Sequence, residues 1–274
     1  MQIVYAIIFG LVQGVTEFLP ISSSGHLLLA HEWLRLDFLD SLAFDAFLHL
    51  GTLAALLIFF WPEILKLVKA WFSSLKKWDL VNNSYQKLAW LIILACLPAG
   101  LVGFFAEDFL TKAFRNLGWL ALALLIVGII LLVVEKIYRG QNTMQQLTWR
   151  QAVVIGLAQI LALVPGVSRS GITIIAGLSQ NLNKQEAAKF SFLLSLPVVA
   201  GAGFKKMLEL YQAGSLVGEW PVLVVGFLAA TVSGVLVIKY FLNYLETKSL
   251  RPFGWYRILL ALVIFGVIFF SGNI

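Results

Sequence analysis

The chain has 274 residues, of which 60% are hydrophobic and 12% are charged, and it carries a formal net charge of +6. Soluble domains are about 45–50% apolar and about 25% charged, so the polar side chains of this chain are too few to cover a water-soluble globule. The composition also excludes a disordered chain, a collagen and a coiled coil, and the single cysteine, Cys96, excludes an intramolecular disulfide. The sequence therefore predicts an integral membrane protein.

Apolar runs that are long enough to cross about 30 Å of hydrocarbon recur along the chain and predict six transmembrane helices. They lie at about 42–61, 88–104, 117–134, 190–204, 220–238 and 258–272. Two further apolar stretches, 2–34 and 151–180, are interrupted midway by clusters of Pro, Gly and Ser. Because lipid cannot satisfy the backbone groups that such residues release, we expect each break to face protein or a water-filled cavity.

The two interrupted stretches are related by an ungapped offset of 146 residues. Seven of the twenty positions from 6 to 25 match under this offset, and Ser22 with Ser168 is one of the matches. Shared apolar composition does not explain the polar and glycine matches, so we interpret the chain as an internal duplication. Repeat 1 is at about 1–145 and repeat 2 is at about 146–274.

The predicted fold is a single polytopic all-α membrane domain over residues 1–274. It has six transmembrane helices and two re-entrant helical hairpins, arranged as an inverted-topology repeat because three spans separate equivalent points of the two halves. Placing the 62–87 loop in the cytoplasm puts most Lys and Arg residues, Arg257 among them, on the cytoplasmic side, and both termini are then external.

The positive charge predicts anionic membrane lipid as a partner. Nothing in the sequence indicates a nucleic-acid partner. A homodimer stays open as an alternative to a monomer.

Ionisable side chains within a membrane are costly, so those of the first break are candidates for function. Gln13 and Glu17 are four residues apart on one helix face, and a hard divalent cation accepts such oxygens together with substrate phosphates. Ser23 and His26 are the candidate pair of nucleophile and base, with Ser22 beside them as a donor to substrate. The alternatives are that Glu17 caps nearby backbone and that the Ser and His side chains satisfy backbone groups freed by the break.

The second break offers donors and no acidic side chain. Gly166, Ser168, Arg169, Ser170 and Thr173 supply backbone N–H groups, hydroxyls and a guanidinium at the start of an apolar helix. Such a set binds phosphate oxygens. The alternative is that Arg169 forms a structural ion pair with the carboxylate of the first break.

Outside the two breaks the signals are weaker. Asp45 and His49 share a helix face, and we interpret them as a buried polar pair in preference to supporting residues of the site. Most Trp and Tyr residues are typical of anchors at the membrane interface.

Both breaks resemble the two signature motifs of bacterial undecaprenyl-diphosphate phosphatases of the bacitracin-resistance type. The resemblance rests on QGVTEFLPISSSGH at 13–26 and PGVSRSGIT at 165–173, and it extends to FDAFLHLGT at 44–52 and EAAKFSFLLSLP at 186–197. It implies hydrolysis of undecaprenyl diphosphate, an isoprenyl diphosphate lipid, to the monophosphate carrier used in cell-wall synthesis. It also implies a divalent cation, Mg or Ca, and a site that opens to the outer face of the bacterial cytoplasmic membrane.

The resemblance further implies a role for each candidate residue. Glu17 and Gln13 would hold the cation, Arg169 and the second-break hydroxyls would clamp the diphosphate, Ser23 or a water would attack, and His26 would transfer a proton. Many members have Glu where this chain has Gln13, so the cation would depend more on Glu17. A phosphoseryl intermediate and direct attack by water both stay open.

A lipid-phosphate flippase or secondary transporter is the alternative function. Inverted repeats alone favour transport, because transporters build their sites from broken helices at a repeat interface. The candidate nucleophile and the Arg–Ser clamp favour a hydrolase, because a transporter needs no positioned nucleophile.

Overall fold

The structure is a computed structural model, and it describes residues 1–34, 41–114, 116–137, 139–212 and 220–271. These residues form eleven α-helices, two single-turn 3-10 helices and no named β-strand. The α-helices are α1 (Gln2–Thr16), α2 (Ser23–Leu34), α3 (Ser41–Phe59), α4 (Trp61–Lys76), α5 (Ser84–Phe114), α6 (Leu117–Ile137), α7 (Trp149–Ile160), α8 (Arg169–Ser179), α9 (Lys184–Gln212), α10 (Trp220–Thr247) and α11 (Arg251–Ser271). The predicted all-α class is confirmed.

Five helices of the described chain are long and apolar enough to cross a membrane. These spans are Ser84–Ala106, Leu117–Ile137, Lys184–Leu208, Trp220–Thr247 and Arg251–Phe270. The predicted span at 42–61 qualifies only together with α4, and the two helices bend by 81° at the break between them. Pro62, in the first turn of α4, suits a new helix start because it lacks the N–H that a continuing helix needs. The described residues therefore contain five candidate spans, or six when the bent pair counts as one, and the chain is a multi-pass membrane protein.

Both predicted interruptions are present. The chain leaves helical structure between Thr16 and Ser23, and again between Leu163, the end of a 3-10 turn, and Arg169. In each stretch the helices before and after the break pack against each other. The inverted orientation of the two repeats stays a prediction.

The first helix of each broken stretch packs on a long helix through a glycine. α1 lies on α10 and α7 lies on α5. A Cβ at Gly10 would lie 2.5 Å from the Gly226 carbonyl oxygen, and a Cβ at Gly156 would lie 2.5 Å from the Ala95 carbonyl oxygen. Only glycine permits these approaches. The two positions are related by the 146-residue offset, so both breaks are anchored in the bundle in the same way.

Candidate active site

The two breaks have the same local geometry at equivalent positions. Ser22 and Ser168 have φ angles of 76° and 71°, in the left-handed region that non-glycine residues rarely adopt. The N–H of Gly25 donates to Ser22 Oγ at 3.3 Å, and the N–H of Gly171 donates to Ser168 Oγ at 3.1 Å. Each serine therefore satisfies an N–H group at the start of the helix that follows the break.

Glu17 and Arg169 meet where the two breaks come together. Glu17 follows α1 directly, Arg169 begins α8, and Arg169 Nη2 donates to Glu17 Oε1 at 2.9 Å. The two side chains are 8% and 12% exposed. Arg169 Nη1 donates to the Ser191 carbonyl at 3.2 Å, so the guanidinium is held at two nitrogens. The acidic and the cationic break converge on one point, and the ion pair named above as an alternative is present.

Ser23 and His26, the expected nucleophile and base, bind different partners. Ser23 Oγ donates to Glu17 Oε2 at 2.6 Å. His26 Nδ1 lies 2.7 Å from the Ser22 carbonyl oxygen and Nε2 lies 2.7 Å from the Tyr256 hydroxyl. Because a carbonyl only accepts, Nδ1 carries the proton, and Nε2 accepts from Tyr256 when the imidazole is neutral. The structure therefore differs from the expected pair: the group within reach of Ser23 is the Glu17 carboxylate.

The other hydroxyls predicted to bind substrate are buried and have partners inside the protein. Ser22 and Ser168 cap their helices, and Ser170 Oγ donates to the Leu19 carbonyl at 3.0 Å. Thr173 Oγ1 donates to the Arg169 carbonyl at 2.7 Å and lies 2.6 Å from the Ser191 hydroxyl. In this structure these side chains hold the two breaks in shape, and their contacts with substrate stay a prediction.

Gln13 and Glu17 are the oxygen ligands that the first break offers to a cation. Gln13 Nε2 donates to Glu17 Oε2 at 3.2 Å, and Gln13 Oε1 is buried with no hydrogen-bond partner among the described residues. No group of three or more His, Cys, Asp or Glu side chains suited to a metal occurs in the part of the chain that the structure describes. A carboxylate and an unused amide oxygen fit a hard cation that takes its remaining ligands from substrate phosphate and water.

His49, which the sequence pairs with Asp45, lies beside Glu17. Its Nε2 is 3.9 Å from Glu17 Oε2, and its Nδ1 lies 2.7 Å from the Asp45 backbone carbonyl oxygen. The Asp45 carboxylate instead binds His31 Nε2 at 3.1 Å. Helical spacing correctly puts Asp45 and His49 on one face of α3. It does not reveal that the Asp45 carboxylate binds His31, because His31 belongs to another helix, α2.

Arg257 is a residue of the site that hydropathy does not reveal. The positive-inside assignment counts it as a cytoplasmic charge, but the span begins at Arg251, and Arg257 is fully buried within it. Its Nη1 donates to the Pro20 carbonyl at 3.2 Å, and its Nη2 donates to the carbonyls of Gly166 at 2.8 Å and Val167 at 3.1 Å. The guanidinium therefore ties the first break to the second. A proline in the first turn of α11 is the feature of the sequence that indicates a helix start before the predicted span at 258–272.

The whole chain is similar to curated bacterial proteins. The family model described as "Bacitracin resistance protein BacA" matches residues 6–263. A protein of Rubrobacter xylanophilus named undecaprenyl-diphosphatase is 42% identical over 96% of this chain and 97% of its own length. Proteins of the same name from Paenarthrobacter aurescens and Thermomicrobium roseum are 38% and 39% identical, and each alignment covers 99% of this chain and at least 99% of the relative. The chain therefore belongs to the BacA family of bacitracin resistance proteins.

Proposed function

We propose that this chain is an undecaprenyl-diphosphatase of the bacterial cytoplasmic membrane with a site that opens to the outer face. It hydrolyses undecaprenyl diphosphate to inorganic phosphate and undecaprenyl phosphate, a carrier for cell-wall synthesis, and thereby confers bacitracin resistance. The names of the relatives support this activity. The observation that carries the proposal is the single hydrogen-bonded group formed by Glu17, Ser23 and Arg169.

Arg169 is the anion-binding group of the proposed site. Two of its N–H groups bind Glu17 and the Ser191 carbonyl, which leaves three donors for phosphate oxygens. Because α8 begins at Arg169, the backbone N–H groups of its first turn also favour an anion there. The fixed positive charge stabilises the negative charge that shifts onto the leaving phosphate in the transition state.

Ser23 is the nucleophile, or it holds the water that attacks. In the first route Ser23 Oγ bonds to the terminal phosphorus, Glu17 accepts the hydroxyl proton, and the bond to the bridging oxygen breaks to release undecaprenyl phosphate. Water then hydrolyses the phosphoserine. In the second route Glu17 accepts a proton from water, which attacks the same phosphorus directly. Both routes need a hydroxyl beside the carboxylate, and Ser23 Oγ lies 2.6 Å from Glu17 Oε2.

His26 acts on the reaction through the position of α2. Both of its ring nitrogens have partners, the Ser22 carbonyl and the Tyr256 hydroxyl. Any proton that His26 exchanges with the substrate would pass through Tyr256. Its main contribution is therefore to fix the start of α2, which carries Ser23, against α11.

A divalent cation, Mg or Ca, would be held by the Glu17 carboxylate and by Gln13 Oε1. When bound, it neutralises charge on the diphosphate and polarises its phosphorus–oxygen bonds. The support for this assignment is the buried amide oxygen of Gln13, which no donor of the described chain satisfies.

Phosphate release from undecaprenyl diphosphate by the purified protein in detergent tests the proposal, with and without chelator. A flippase or transporter leaves its cargo intact, so release without a membrane to cross separates the two functions. Arg169→Ala should lower the rate about 100-fold or more. Arg150→Ala, at an exposed arginine in the first turn of α7 in the same repeat, is the matched control. An unchanged rate in Arg169→Ala would contradict the assigned role, and no release by the wild-type protein would favour transport.

A further inference from the structure

A second cluster of cations surrounds a cavity at the far end of α8 from Arg169. The cavity has a volume of about 320 Å³, and its lining includes Glu135, Arg139, Leu178, Lys184 and Arg251. Arg169 and Leu178 are nine residues apart on α8, or about 14 Å at 1.5 Å per residue. The cavity is therefore distinct from the candidate active site.

The charges around this cavity do not balance. Glu135 is the only acidic residue of the lining, and its Oε1 accepts from Lys184 Nζ at 2.7 Å. Its side chain is 5% exposed, and it also accepts from the Ser249 hydroxyl and the Leu250 N–H. Arg139 and Arg251 have no acidic partner in the described parts of the chain. Two guanidinium charges are thus left beside a cavity whose one carboxylate is already neutralised.

The cavity wall that carries Arg139 is fixed in place. The N–H of Asn142 donates to the Asn181 carbonyl at 3.0 Å, and the N–H of Asn183 donates to the Asn142 carbonyl at 3.0 Å. A Cβ at Gly140 would collide with the carbonyl oxygens of the turn it passes. Only glycine lets this segment lie so close, so the wall that carries Arg139 is held against the end of α8 without a ligand.

The position of the cavity matches the level of lipid headgroups. Three spans meet there: α6 ends after Glu135, α9 begins at Lys184, and α11 begins at Arg251. The ends of spans lie where hydrocarbon gives way to headgroups. The positive-inside prediction assigns these residues to the cytoplasmic side, where anionic lipids are concentrated.

We infer that this cavity binds a phosphate-bearing anion. Two guanidinium groups supply the paired N–H donors that suit phosphate oxygens, and the volume is at the small end of the roughly 300–1,000 Å³ range of ligand pockets. The phosphate belongs either to the headgroup of an anionic phospholipid or to free inorganic phosphate. The site is independent of the hydrolytic function proposed above.

Calorimetric titration of the full-length protein in detergent tests the inference with three probes: dioctanoyl phosphatidylglycerol, the zwitterionic phosphatidylcholine of the same chain length, and sodium phosphate. The cavity variant is Arg139→Gln/Arg251→Gln. The control is Lys76→Gln/Arg150→Gln, which removes two exposed cations away from the cavity. Arg139→Lys/Arg251→Lys keeps the charge and loses the paired donors.

We expect phosphatidylglycerol to bind the wild-type protein and the control variant equally, and the cavity variant roughly tenfold or more weakly. The affinity of the lysine variant for phosphatidylglycerol should lie between those of the wild-type protein and the cavity variant. Cavity-dependent binding of sodium phosphate would identify free phosphate as a sufficient ligand, whereas binding of phosphatidylglycerol alone would identify the lipid headgroup. The inference is refuted if neither anion binds, if phosphatidylcholine binds as well as phosphatidylglycerol, or if both double variants change affinity by the same factor.

Discussion

Replacement of Arg257 tests whether one buried guanidinium sets the relative position of the two breaks. Its three shortest hydrogen bonds go to the carbonyls of Pro20, Gly166 and Val167, and no acidic side chain of the described chain forms an ion pair with it. In Arg257→Met these buried carbonyls lose a donor. Three buried carbonyls without a donor lower the free energy of unfolding by roughly 3–9 kcal/mol. The removal of a buried charge offsets several kcal/mol of this loss, so we expect the free energy of unfolding to fall by about 3 kcal/mol.

The same variant should lower catalysis more than it lowers substrate binding. The breaks carry Glu17 and Arg169, and a displacement of about 1 Å in a reacting group can lower a rate about 100-fold. We expect kcat to fall by about that factor with little change in KM, because the Arg257 side chain has no exposed surface with which to touch substrate. The kcat of Arg257→Lys should lie between those of the wild-type protein and Arg257→Met, because the ammonium group keeps the charge but reaches fewer carbonyls.

Phosphate release gives kcat and KM for this series, and thermal unfolding in detergent gives the stability. Arg150→Met is the matched control, because it makes the same change at an exposed arginine. Wild-type kcat and stability in Arg257→Met would refute the reasoning. A raised KM with unchanged kcat would mean that Arg257 binds substrate and does not set the geometry of the breaks.

Three further predictions concern single side chains. Ser23→Ala should lower kcat about 100-fold or more, because Glu17 loses the hydroxyl proton that it accepts; full activity would remove Ser23 from the chemistry. Gln13→Glu should keep activity and reach half-maximal rate at a lower Mg²⁺ concentration, because a second carboxylate joins the proposed cation site. A Mg²⁺ titration after chelator treatment measures this, and a higher requirement would argue against Gln13 as a ligand. Gln159→Met should raise the free energy of unfolding by about 1 kcal/mol, since both amide atoms of Gln159 are buried with no partner in the described structure. Thermal unfolding checks the sign, and a loss of stability would show that a bound water or ligand satisfies the amide.

The two breaks could be predicted because their composition is unusual for a membrane. Dense clusters of Pro, Gly and Ser favour a helix break, whereas the single prolines Pro98 and Pro197 lie inside α5 and α9. An ionisable residue such as Glu17 or Arg169 at that depth marks a candidate site whatever the fold. The offset of 146 residues likewise relates Ser22 to Ser168, which have nearly the same positive φ angle. These features could be predicted because they depend on residue types within one short segment.

Apart from the ion pair of Glu17 and Arg169, which the sequence offered as an alternative, the partners within the site could not be predicted, because they depend on contacts between distant segments. Ser23 lies three residues before His26, yet its hydroxyl binds Glu17, since Ser22 turns the chain through a positive φ and the imidazole pairs with Tyr256 of α11. The burial of Arg257 within a span was also not predicted. Hydropathy is averaged over a window of residues. Arg251 and Arg257 lower that average near the start of α11, so the predicted span begins after Arg257 although the helix begins before it.

The offset also explains why the site needs both halves of the chain. It maps Ser23 onto Arg169, so the first residues of α2 and α8 occupy equivalent positions but carry a hydroxyl in one half and a guanidinium in the other. It maps Glu17 onto Leu163, which accounts for the unpaired amide of Gln159: its equivalent, Gln13, donates to a carboxylate that the second half lacks. Each break therefore holds only part of the proposed chemistry, which places the acid and hydroxyl of one break beside the guanidinium of the other. A site of this kind depends on whatever holds the two breaks together, which is why a buried arginine that binds only backbone carbonyls can matter as much as a residue that touches substrate.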